Sequence, residues 1–205
     1  MGSGAGLDGI KLDALRVVTN IGARHAASAL SQIMTGCRVM ITVPDVKVVQ
    51  SDVFSELLGN PDAVVVAVWT RIVGDLPGRT VLVMPGESAK QLCDLMLGRA
   101  PGTTTELEEL ELSTLGEAGS ILGSGYLNAL ADFLDMTLLP SVPTVVIAKP
   151  EDLAVQLHID PEQTVFCAST AFAFPDGNLA QTLDAQFLHL PEPSSLAALF
   201  KAIAG

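Results

Sequence analysis

Cysteine and histidine are few, and neither is arranged for metal chemistry. Cys37, Cys93 and Cys167 are odd in number and far apart, which excludes a disulfide framework and a CxxC metal site. They read as small, partly buried hydrophobes. His25, His158 and His189 form no HxxxH or HExxH pair, so neither a structural zinc nor a metal-bound water is expected. There is no GxxxxGK followed by Ser or Thr, and no GxSxG. Those absences remove the P-loop nucleotide and α/β-hydrolase readings. No apolar run reaches a membrane-spanning length without a Gly, Pro or charge intervening, so membrane insertion is not expected. The start, MGSGAGLDGIKLDAL, has neither the basic residues nor the apolar stretch of a signal peptide, and a soluble cytoplasmic protein is the expectation.

Positive charge is also short. Against 23 Asp+Glu stand 11 Lys+Arg, for a net charge of −12 and a pI near 4.4. Phosphate backbones would be repelled, and nucleic acid is not expected as a partner. The imbalance is local. Residues 1–100 carry 9 basic and 9 acidic side chains, whereas 101–205 carry 2 and 14. Glu106, Glu108, Glu109 and Glu111 cluster just before an apolar periodic segment, where carboxylates favour a helix N-terminus. A docking surface for a basic partner is the other use of such a cluster.

What the chain does have is apolar bulk. Its 205 residues are 49% apolar and 17% charged, with a mean hydropathy of +0.45. That is enough to offset the entropy of ordering one compact domain, or two small halves sharing a core. An internal repeat favours the second description. At an offset of 100, Ala29-Leu30 falls on Ala129-Leu130 and Ile33-Met34 on Phe133-Leu134. With one residue removed, Thr42-Val43-Pro44 meets Ser141-Val142-Pro143, and Val46 meets Val145.

Each half predicts a long helix (10–35, 107–135), an extended stretch (38–49, 137–148) and a short helix (51–58, 150–157). Two β-rich runs follow, 63–74 with 78–84 and 164–174 with 181–190, joined by turns such as Asp75-Leu76-Pro77-Gly78 and Pro175-Asp176-Gly177-Asn178. Closing helices come at 86–98 and 193–204, and Gly98 and Gly102 mark the seam. The expected fold is α/β (α+β): one domain over 1–205 made of αβ(α)ββα pseudo-repeats 7–100 and 104–205. Its sheet is mainly antiparallel, covered by two long helices and pseudo-twofold in arrangement. Trp69, in the apolar run Val64 to Val73, is expected in the core or on a sheet face.

On the first long helix, Leu12, Leu15, Gly22, Ala26, Ala29 and Ile33 define a buried stripe. Beside it runs a row of Asp13, Val17, Asn20 and Arg24, and the second helix has the equivalent row Ser113, Glu117, Ser120 and Ser124. Residues at three- and four-residue steps share a face, so one partner can touch a whole row.

These rows resemble the duplicated motif of the CheC-type chemotaxis phosphatases, relatives of CheX and FliY. That pattern is Asp or Ser, three residues, Glu, two residues, Asn, on each of two long helices. Leu97-Gly98-Arg99-Ala100-Pro101 is similar to the family's central junction, and the similarity covers essentially the whole chain. The resemblance implies dephosphorylation of a CheY-like response regulator carrying an aspartyl phosphate. It implies no cofactor of the protein's own, the Mg²⁺ being supplied by the regulator. A neutral carboxamide positions the attacking water without adding charge beside the phosphoryl group. The carboxylate three residues earlier pairs with a lysine of the regulator.

Both copies depart from the pattern. The first keeps Asn20 but has Val17 in place of the carboxylate, and the second keeps Glu117 but has Ser120 in place of the amide. Asn20 and Glu117 are thus the candidate catalytic pair, with Asp13, Val17, Ser113 and Ser120 as candidate partner contacts. Asp13, one turn before Val17, is a candidate substitute carboxylate. Three readings stand: a weak phosphatase acting through Asn20; an adaptor binding a regulator or a CheD-like receptor deamidase without catalysis; or two merely solvated helix faces.

Overall fold

A computed structural model describes residues 9–34, 38–58, 60–160, 162–175 and 182–204. Cys37 and the expected turn at 175–178 beyond Pro175 lie outside them. The chain runs α1 (Gly9–Ile33), β1 (Met40–Gln50), a 3-10 turn and α2 (Phe54–Leu57), β2 (Val65–Gly74), β3 (Gly78–Pro85) and α3 (Gly86–Met96). It continues through α4 (Glu109–Leu134), β4 (Leu138–Pro140), β5 (Thr144–Ala148), α5 (Pro150–Gln156), β6 (Thr164–Ala173), β7 (Leu183–Pro191) and α6 (Pro193–Ala204). All seven strands join one sheet, β1-β6-β7-β3-β2-β4, with β5 also on β2, and every pairing is antiparallel. The mainly antiparallel α/β class is therefore what the chain adopts.

Prolines shape the two outer strands. A Pro lacks the N–H that a ladder needs, which confines it to edges and bulges. Pro44 lies where the β1–β6 register shifts, between Thr42 and Asp45. Pro143 lies in the gap that divides the expected stretch 137–148 into β4 and β5. Ser141 bridges this second gap: its N–H donates to the Arg71 carbonyl at 2.8 Å and its hydroxyl accepts from the Arg71 N–H at 3.1 Å.

Strand alternation sends alternate side chains into two cores. Val66, Val68, Leu82, Phe166 and Phe187 pack with Leu15, Val18, Leu30, Leu122 and Leu130 beneath α1 and α4. On the other face, Val65, Ala67, Val81, Val165 and Leu188 pack with Phe54 of α2 and Leu153 of α5. Trp69 is half-buried against this second cluster, on a sheet face. Cys93 and Cys167 are buried and free.

The long helices touch at backbone distance. A Cβ at Gly22 would stand 2.7 Å from the Tyr126 Cα, and one at Gly119 would stand 2.3 Å from a Val68 methyl carbon. Only glycine permits either approach. The buried stripe of α1 differs from the expected one at its end. Ile33 is 46% exposed and Ala29 is half-buried. From Ala26 the buried line steps by four to Leu30 and Met34. At 3.6 residues per turn, a step of four leads the contact line and a step of three lags it, so 29 and 33 rotate toward solvent.

His189 is buried beneath α1 and α4, 5.8 Å from the Tyr126 ring and 5.9 Å from that of Phe166. Neither ring nitrogen has a partner among the described residues. Burial lowers its pKa from 6.5 to about 4. The unfolded chain then takes up this proton first, so stability is complete above about 6.5 and declines as pH falls toward 4. His189→Phe should flatten the fall in melting temperature across that interval. A parallel fall in wild type and variant would show that His189 contributes nothing to it.

Candidate functional site

Both polar rows lie on the solvent side of their helices. Asp13, Val17 and Arg24 are exposed and Asn20 is half-buried, while in the second row Ser113 and Glu117 are exposed and Ser120 and Ser124 half-buried. The buried residues between them, Leu15, Val18 and Thr19 on α1 and Leu115, Ala118 and Gly119 on α4, hold each row outward.

Around Asn20 the side chains are tethered to their own helix. Its Nδ2 donates to the Arg16 carbonyl at 2.8 Å. Only the amide nitrogen can donate to a carbonyl, which assigns the orientation and leaves Oδ1 as the free acceptor. Where the motif has a carboxylate, Val17 presents an apolar surface that is 55% exposed. Asp13 lies 3.6 Å from Arg16, whose guanidinium also reaches Asp45 at 3.8 Å. The nearest substitute acid is therefore already engaged by a cation. Glu117 differs: among the described residues its carboxylate has no ion pair or hydrogen bond, so it is free to meet an incoming cation.

The start of α4 accounts for the acidic cluster. Glu108 is the N-cap, and Glu111 closes a capping box with it. Glu111 is also bound to Arg99 at 2.6 Å, and this ion pair holds its carboxyl below its usual pKa of 4.5. Arg99 belongs to the junction, and it donates to Thr104 at 3.1 Å. Beside it, Asp94 is buried and accepts from Gly102 N (2.8 Å), Thr103 N (3.0 Å), Thr104 N (2.9 Å) and the Thr104 hydroxyl (2.6 Å). Sequence reasoning found the junction but missed Asp94. The signal was an acid at the end of a helix followed by Gly102-Thr103-Thr104, a run of donors. Arg16 was missed too, although it stands between Asp13 and Val17.

Among the described residues, no three His, Cys, Asp or Glu side chains gather where they could hold a metal ion. No helix there is long and apolar enough to cross a membrane.

Comparison with known proteins bears on the same surface. The CheC-like family profile matches residues 110–147, the segment holding Ser113, Glu117 and Ser120. The Bacillus subtilis (strain 168) protein named CheY-P phosphatase CheC is 33% identical over 205 residues, covering 96% of this chain and 96% of its own. Thermotoga maritima FliY matches the fold with a TM-score of 0.77 at 24% identity, over 97% of this chain and 98% of that one. A chain of the H. pylori FliG–FliM complex matches with a TM-score of 0.68 at 18% identity, over 95% and 100%. The two structural likenesses concern the fold alone.

Proposed function

The chain belongs to the CheC family of chemotaxis proteins, and on that premise we propose that it docks a phosphorylated CheY-like response regulator and slowly hydrolyses its aspartyl phosphate. The observation that supports this most is the exposed row on α1, where Asn20 holds its amide nitrogen on the Arg16 carbonyl and keeps Oδ1 free. In the proposed step a water donates a hydrogen bond to Oδ1 and attacks phosphorus in line with the bond to the aspartyl oxygen. That P–O bond breaks, the aspartate leaves as a carboxylate, and the water's oxygen departs in inorganic phosphate, its proton passing to solvent. An acyl phosphate is a good leaving system, so orientation is most of what the helix must supply. The Mg²⁺ ion comes with the regulator and neutralises its phosphoryl oxygens.

Slowness follows from the division of labour. Docking through a carboxylate is available at Glu117, on α4, while water positioning is available at Asn20, on α1. Neither helix has both. Arg16 competes for Asp13, so the substitute acid adds little.

The test is the rate of phosphate loss from each phosphorylated regulator of the same organism, with and without this protein. Acceleration of at least one supports the proposal, and no acceleration of any overturns it. A flat rate combined with capture of a regulator or a CheD-like deamidase would establish the adaptor reading instead. Restoring a pair is the constructive arm. Ser120→Asn gives α4 a carboxamide one turn from Glu117 and should raise the rate by about tenfold or more. Val17→Glu gives α1 its carboxylate and should act mainly by tightening docking. Unchanged rates in both variants would count against the assignment of roles.

A further inference from the structure

We propose that the cleft between the sheet and the C-terminal end of α5 binds a small aromatic phosphate of the nucleoside monophosphate class. It lies on the sheet face opposite the two long helices, so it is independent of the regulator-docking rows. Its volume is about 320 Å³, at the lower end of the range for small-molecule sites. The indole of Trp69 lines it, half-buried against the second core. Arg71, two residues along β2, shares that sheet face with Trp69, and in the strand register it stands directly opposite Arg79 of β3.

Like charges facing each other across an antiparallel pair destabilise a sheet. Yet among the described residues neither arginine has a carboxylate partner within 4.0 Å. Arg79 donates to the Leu157 carbonyl at the end of α5, and among the described residues the Arg71 side chain makes no hydrogen bond. The acid in the wall is Glu192, and it pairs with neither. A chain of net charge −12 thus keeps two adjacent, unneutralised guanidinium groups beside an aromatic plane.

The chemistry that satisfies this wall has two parts. A phosphate accepts bidentate hydrogen bonds from guanidinium forks and relieves their mutual repulsion. A flat ring attached to it stacks on the indole face. Gln156 and His158 at the rim offer further polar atoms for the edge of the ring. Recognition here is by side chains, so it requires no glycine-rich phosphate loop.

Trp69 is the chain's single tryptophan, and its emission therefore reports on this cleft alone. Titration of the full chain with AMP and with GMP should give a saturable change in that emission for at least one of them. Inorganic phosphate should compete weakly, and the matching nucleoside should compete far less well than its monophosphate. Arg71→Gln should weaken binding by about tenfold or more, as expected for a lost charge-assisted hydrogen bond. Arg79→Lys, which keeps the charge and loses the fork, should weaken it less and serves where the first variant does not fold. No saturable change with either mononucleotide overturns the proposal. So does a nucleoside that competes equally, or affinity unchanged in a folded arginine variant.

Discussion

Asn20→Ala is expected to return phosphate loss from the cognate regulator to its unassisted rate. A positioned group acting on the attacking water contributes about 10²-fold or more, and α1 offers no other carboxamide in that row. Asp13 lies two turns away and carries negative charge, Val17 is apolar, and Arg24 only donates. The loss should fall on the chemical step. Glu117, the proposed docking carboxylate, is on the other helix, so regulator affinity should change less than about twofold, well under the worth of one hydrogen bond. Asn20→Asp sharpens the point. It keeps an oxygen at the same reach but adds negative charge beside the phosphoryl group, and it should lose activity as well. Phosphate-release kinetics under single-turnover conditions measure both variants. Acceleration that survives in Asn20→Ala would remove Asn20 from the chemistry.

Asp94→Asn is expected to lower stability by about 3 kcal/mol. The buried carboxylate accepts four hydrogen bonds, two at each oxygen, from three backbone N–H groups and one hydroxyl of three successive junction residues. An amide of the same shape retains one acceptor oxygen. Its NH₂ group must face either Gly102 N and Thr103 N, or the N–H and hydroxyl of Thr104, so at least one backbone N–H loses its acceptor and meets another donor. For a chain of this length the melting temperature should fall by about 6–12 °C. A thermal melt decides it, and a shift below about 2 °C would mean that the junction is held by other contacts.

The range of an interaction decides whether its outcome is legible in the sequence. Element order and turn positions follow local patterns, and they were legible: the hairpin at Asp75-Leu76-Pro77 closes with Ile72 opposite Gly78. The two helix rows were legible as well, because a 3.6-residue period fixes which side chains share a face. What the period could not fix was the direction of a neighbour. Ile33 is exposed because the buried line of α1 steps through Leu30 and Met34, a choice made by what packs against it.

The split of 137–148 into two strands was missed although Pro143 stood in plain view, since a single missing donor has no reach in a period count. Asn20 was legible as a residue, but the state of its amide depends on a hydrogen bond to the preceding turn of α1. Asp94 and the Arg71–Arg79 pair were not legible at all. Each depends on segments that meet only once the chain is folded.

The interrupted margins of the sheet have a consequence for life at high concentration. A flat outer strand with its main-chain groups in unbroken sequence is a template on which another molecule's strand can add, and repeated addition leads to fibres. Here one margin bends at Pro44, and the other is cut by a gap in which Ser141 takes up the main-chain groups of Arg71. Neither side offers a full-length row to a newcomer. Strand addition along either margin is confined to short uninterrupted stretches, such as residues 45–50 of β1.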